Sequence, residues 1–204
     1  MIDVLLNRIN SDNDLFYCLD VSRIDDFDDF VKSFNINRPE GANLVRFLKE
    51  FSLYENNLNL SKTYLVIDKT TDEVAGYFSL KAGTITLNGG KYKKPEDFDA
   101  IPGIEISNFA ANDVYRKAHG LDDINFKIGK SMFINFILPI INEVSKVIGV
   151  NNVYIFALPE KKLIDYYKNL GFERLSEKSE EKLHSRIRPF YDQNCIFMWQ
   201  RLAS

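Results

Sequence analysis

Cysteine and histidine are scarce, two of each in 204 residues. Cys18 and Cys195 form no C-x-x-C, and His119 and His184 stand in no spaced carboxylate motif, which argues against a disulfide scaffold and against a zinc site. Long apolar runs are also missing. The most apolar stretch, Met132 to Ile141, is interrupted by Asn135 and Pro139 and falls short of the ~20 residues of a membrane span. No basic n-region opens the chain, so Met1-Ile2-Asp3-Val4-Leu5-Leu6-Asn7-Arg8 reads as an unprocessed, cytoplasmic start. Neither charge sign dominates. With 26 basic and 29 acidic residues and a pI of about 5.5, broad binding to a phosphate backbone is disfavoured.

What remains is an ordinary globular composition, 45% hydrophobic and 27% charged, without repeats or low-complexity tracts. Leu15 to Leu19 reads as a first strand. Phe27, Phe30, Val31 and Phe34, then Leu44, Phe47, Leu48, Phe51 and Tyr54, recur at helical spacing. These phenylalanines read as core, with a homodimer or partner face as the alternative. Tyr64 to Asp68 and Val74 to Leu80 read as a hairpin, and Thr84 to Leu87 as a further short strand before Asn88-Gly89-Gly90. Residues 104–111 and 153–158 are strands separated by a long helix over 129–148 that Pro139 kinks. That order implies a right-handed crossover and a parallel pair in a mostly antiparallel sheet. A short helix opened by Pro159 closes at Gly171, Phe172 and Cys195 begin two last strands, and the mixed charges of residues 173–188 read as a solvated loop or helix.

Gly129-Lys130-Ser131 has the ending of a phosphate loop, but the required first glycine is replaced by Ile124 and no buried strand precedes it. Nucleotide hydrolysis is set aside. A helix beginning near Gly129 still offers unpaired N–H groups and a positive dipole end to an anion, with Lys127 and Lys130 adding charge.

Three stretches carry a family resemblance: Lys62 to Leu80, Ile104 to Arg116 with Lys127-Ile128-Gly129-Lys130-Ser131, and Ala157 to Tyr167-Lys168-Asn169-Leu170-Gly171-Phe172. Together they resemble the GNAT superfamily of acetyl-CoA-dependent N-acetyltransferases. The second stretch departs from the family pattern. Lys127 stands where a glycine is usual, and Arg116 resembles the family's arginine displaced by an insertion of residues 117–126.

The resemblance implies a single domain over residues 1–204 of the α/β (α+β) class. A mixed, mostly antiparallel sheet is flanked by helices, with a splayed parallel pair forming the acyl-CoA cleft. It implies acetyl-CoA as acyl donor and no metal. Ile128, Gly129, Lys130 and Ser131, with Lys127 and Arg116, hold the pyrophosphate, and the backbone of Phe109, Ala110 and Ala111 pairs with the pantetheine, the small residues 110 and 111 leaving room.

Direct transfer requires a neutral amine, and a lysine-type amine has a pKa of about 10.4, so a general base is useful. Glu105 is the candidate, a role implied by its place on the strand entering the acyl-CoA motif; the bland alternative is an exposed or lysine-paired glutamate. The resemblance assigns protonation of the departing thiolate to Tyr167, and Tyr166, about 100° away on the helix, reads as core. The acceptor reads as a small-molecule or protein amine. A narrower alternative is a toxin acting on aminoacyl-tRNA, against which the acidic pI and chain length count. A CoA- or partner-binding protein without catalysis is the non-enzymatic alternative.

Overall fold

The computed structural model describes residues 2–88, 98–121, 127–186 and 194–202. Gly89-Gly90, the basic run Lys91-Tyr92-Lys93-Lys94 and Ile124 lie outside them. Among the described residues, seven strands form one sheet in the order β1-β2-β3-β4-β5-β7-β6. They are β1 (Phe16–Asp20), β2 (Lys62–Asp68), β3 (Val74–Asn88), β4 (Phe98–Ala111), β5 (Asn152–Ala157), β6 (Glu173–Arg174) and β7 (Ile196–Arg201). β1/β2, β2/β3, β5/β7 and β6/β7 are antiparallel, and β4/β5 is parallel. The residues read as a separate strand at 84–87 instead continue β3 without a break.

The chain forms two compact units, Met1–Lys81 with Ser107–Glu143, and Ala82–Ile106 with Val144–Ser204. The first opens with α1 (Ile2–Ser11), a helix the sequence reading did not anticipate. Among its described side chains, Leu6 and Ile9 are the buried ones. What fixes it is Asn10, whose side chain accepts from Cys18 N at 2.7 Å and donates to Cys18 O at 2.9 Å, a long-range contact that periodicity cannot reveal.

A short α2 (Phe27–Phe30) follows, then one continuous helix made of α3 (Ala42–Arg46), a π turn (Phe47–Phe51) and α4 (Ser52–Asn57). Phe27 and Phe34 are buried with Leu48, Leu65, Ile67 and Tyr77, and Phe30 and Phe47 pack against them, so most of the aromatic stripe is core. Phe51 is the exception. The π turn adds a residue and rotates the helix by about 100°, so Leu48, Ser52 and Asn56 face inward while Phe51 and Tyr54 face out. The two buried polar residues are satisfied, as burial demands: Ser52 Oγ donates to Leu48 O at 2.5 Å, and Asn56 accepts from Thr63 N at 2.9 Å while donating to Asp20 Oδ1 at 3.0 Å.

After β4 come α5 (Asp113–Ala118), then α6 (Ile128–Met132), a second π turn (Phe133–Ile137) and α7 (Leu138–Val147). The irregularity expected at Pro139 takes the form of that π turn just before it. Proline has no N–H for the carbonyl of residue 135 and its ring crowds that carbonyl. The wider turn, with Leu138 N bonded to Phe133 O, accommodates both.

In the second unit, α8 (Lys161–Asn169) precedes β6, and α9 (Glu177–His184) lies between β6 and β7. Ile85, Tyr154, Phe156, Leu183, Cys195 and Phe197 form its core. The segment 173–188 is not wholly solvated: Glu180 is buried, accepting from Arg174 at 2.8 Å and from Phe197 N at 2.8 Å. No helix among the described residues is long and apolar enough to cross a membrane, and no group of three or more His, Cys, Asp or Glu there could hold a metal ion.

Candidate active site

In the first unit the predicted residues come from the end of β4 and the starts of α5 and α6. Ala110 turns its side chain into the core, whereas Phe109 and Ala111 are half-buried on the alternate positions. Any room at residue 110 is therefore along the main chain only. A Cβ on Gly76 would stand 2.7 Å from Ala110 O and 2.5 Å from Met132 Sδ. The glycine is what lets β3, β4 and α6 approach so closely. Asn112, which the sequence reading passed over, ends β4 and starts α5. Its amide donates to Val74 O at 2.7 Å, and its Oδ1 accepts from Val114 N at 3.1 Å as an N-cap.

Arg116 lies on α5, paired with Asp113 at 2.9 Å. Lys127 is exposed and extended (φ −94°, ψ 98°) and supplies no side-chain cap to α6. Ile128 is buried and anchors the helix start, Lys130 is exposed, and Ser131 Oγ accepts from Asn135 at 3.0 Å. An uncapped first turn flanked by two lysines suits an anion such as a pyrophosphate. The same unit carries an open groove lined by Asn35, Asn37, Arg38, Arg46, Lys49 and Glu50, among others.

In the second unit, Tyr167 occupies a seat built from the backbone. Gly171 takes φ +93°, Phe172 N bonds to Tyr167 O at 3.0 Å and Gly171 N to Lys168 O at 2.9 Å. These two bonds form a Schellman motif, whose usual apolar contact joins the residues that here are Tyr167 and Phe172. Their rings meet edge to face at 5.8 Å. The spacing of tyrosine, three residues, glycine and phenylalanine is thus the spacing of a helix ending that fixes the tyrosine. Tyr167 is 4% exposed. Tyr166 is half-buried, its hydroxyl without a hydrogen-bond partner in a buried position, and burial pushes its pKa up.

Glu105 is 9% exposed, not the surface glutamate of the bland alternative. It stands opposite Tyr154 in the parallel register, which runs from Gly103↔Asn152 to Glu105↔Tyr154, whereas β4 continues to Ala111 and β5 to Ala157. The parallel pairing ends before either strand does. The Tyr154 phenol donates to the Glu105 carboxylate, a partner that no sequence spacing discloses.

No protein-family model and no curated protein matches the sequence. Solved structures do match the fold. A tyrosine-to-phenylalanine mutant of the AtaT toxin superposes with a TM-score of 0.61 at 18% identity, over 89% of this chain and 88% of that one. A structure described as a bacterial toxin gives 0.65 at 15% identity, over 92% and 90%. AtaT complexed with acetyl-methionyl-tRNAfMet gives 0.59 at 18%, over 89% and 93%. The fold is GNAT-like. A GNAT-like sheet order with its parallel β4/β5 pair agrees with the architecture the sequence resemblance implied. At these identities the agreement concerns the fold alone.

Proposed function

We propose that this GNAT-like chain is an acetyl-CoA-dependent N-acetyltransferase, a single catalytic domain over residues 1–204 that moves an acetyl group directly onto a primary amine. The observation that carries the reading is the seat of Tyr167, a phenol held at the end of α8 by the Gly171 turn and the Phe172 ring. Acetyl-CoA, when bound, supplies the activated thioester. The amides of Ile128 to Ser131 would hold its pyrophosphate with Lys127, Lys130 and Arg116, and the main chain of Phe109 to Ala111 would pair with its amides. Glu105 takes the proton of the attacking amine as the nitrogen–carbon bond forms. Tyr167 donates a proton to the sulfur as the carbon–sulfur bond breaks. Among relatives of the fold, AtaT has been solved with acetyl-CoA bound.

A second reading narrows the acceptor to aminoacyl-tRNA. Support comes from the groove of the first unit, lined by Arg38, Arg46 and Lys49 with one carboxylate, Glu50, which pairs with Arg46 at 2.9 Å, a locally basic surface within an acidic chain. AtaT complexed with acetyl-methionyl-tRNAfMet has a similar fold.

Calorimetric titration with acetyl-CoA, beside adenosine 3′,5′-bisphosphate, tests the donor. Micromolar affinity is expected, and no heat up to millimolar ligand would remove the proposal. Transfer of labelled acetyl to methionyl-tRNA, a lysine peptide and small amines then tests the acceptor. Label in the tRNA alone supports the second reading, and label in the other amines alone excludes it.

A further inference from the structure

Glu105 is tied to a phenol whose placement has a visible structural cost. The Tyr154 ring lies across β4 at Gly103, where a Cβ would stand 3.3 Å from two ring carbons, and its hydroxyl reaches β3, where a Cβ on Gly83 would stand 1.8 Å from Oη. Glycine inside a strand is destabilising relative to alanine, so each of these positions works against the sheet. At Gly103 the nearest atom is Asn152 O at 3.1 Å, so that glycine answers to the main chain as much as to the ring. At Gly83 the nearest atom is the hydroxyl oxygen itself, so this glycine accommodates the hydroxyl and not merely an aromatic residue.

The hydrogen bonding around that oxygen has one consistent direction. Thr84 N–H donates to Oη, and Oη donates its single proton to Glu105. Phe156 and Phe197 pack on the ring, with centroids at 6.0 and 5.4 Å, and restrict its rotation. We propose that Tyr154 is a positioning residue for Glu105, orienting the carboxylate to accept the amine proton. The proposal rests on Glu105 acting as the base. The phenol keeps its proton, because burial first and the charge of Glu105 second raise its own pKa. Among the described residues the other titratable groups around this core are Cys195, within it, and His184 of α9, whose ring is 6.2 Å from that of Phe156. α9 also brings Glu180, held by Arg174.

The test is Tyr154→Phe, which keeps the ring and removes the hydroxyl. In protein labelled with ¹³C at glutamate δ-carbons, the Glu105 signal, assigned by its loss in Glu105→Gln, is recorded at pH 7. Loss of the phenol's hydrogen bond should shift that signal, and Gly83→Ala, which displaces the hydroxyl while keeping the tyrosine, should shift it in the same direction, while kcat falls about tenfold in Tyr154→Phe with KM for acetyl-CoA unchanged. Release of CoA thiol from acetyl-CoA is measured in parallel for wild type, Tyr154→Phe and Glu105→Gln with methionyl-tRNA, a lysine peptide and small amines as acceptors. An unmoved Glu105 signal in Tyr154→Phe overturns the inference alone. A moved signal together with undiminished turnover in Glu105→Gln overturns the base assignment, and the inference with it.

Discussion

In the first unit the residues read as binding acyl-CoA present main chain, and in the second unit the residues read as moving protons present buried side chains. At the end of β4 and the start of α6 the groups that matter are amides and carbonyls, with Ala110 turned into the core and Lys127 giving no cap. In the second unit they are a phenol and a carboxylate, each largely buried and each held by a defined contact. A backbone site depends on conformation, which many side chains can support, whereas a proton-transfer site depends on residue identity. On the proposed reading this accounts for the close resemblance of the Tyr167-to-Phe172 ending to the GNAT pattern and for the departure of the acyl-CoA stretch from it.

Substitutions can break or sharpen that contrast. The largest effect is expected from Tyr167→Phe: kcat falls by about 100-fold, the low end of general acid catalysis, while calorimetry shows nearly unchanged affinity for acetyl-CoA. Equal turnover would remove the assigned role. Gly171→Ala should cost about 1–2 kcal/mol, because the new Cβ disfavours the left-handed φ of +93°. It would lower Tm and, by loosening the Schellman turn, lower kcat as well; an unchanged Tm would show that the turn tolerates a side chain.

Lys127→Ala tests the backbone side of the comparison. A roughly three- to fivefold rise in the Kd for acetyl-CoA is expected, the weight of one solvated charge, and a loss of more than 50-fold would show that the lysine side chain itself builds the site. The smallest effect concerns Asp68, which accepts from the Tyr115 phenol at 2.5 Å. Burial raises its pKa, but the phenol and the amides of Thr70 and Thr71 outweigh burial and hold it below the usual carboxylate range. A depressed carboxyl pKa contributes stability above the unfolded value of about 3.9 that is lost as pH falls through the folded value. Tyr115→Phe should therefore lower Tm most at pH 7 and progressively less below about pH 4; a deficit independent of pH would mean that the phenol only packs.

Much of the architecture was legible in the chain itself. Apolar spacing gave the long helices and strands, and the order of elements gave the crossover with its parallel pair, because period-2 and period-3.6 patterns are local properties. The ending at Gly171 was legible for the same reason, since a helix closed by a left-handed glycine is written in a few adjacent residues. Three features were decided by tertiary structure. α1 is held by Asn10 on the backbone of Cys18, a contact without local signature. The π turn at Phe47–Phe51 shifts the buried face to Ser52 and Asn56, because one added residue rotates everything after it. Glu105 meets Tyr154 only through the register of β4 on β5, and register joins residues far apart in sequence whose pairing is set by the packing of the whole sheet.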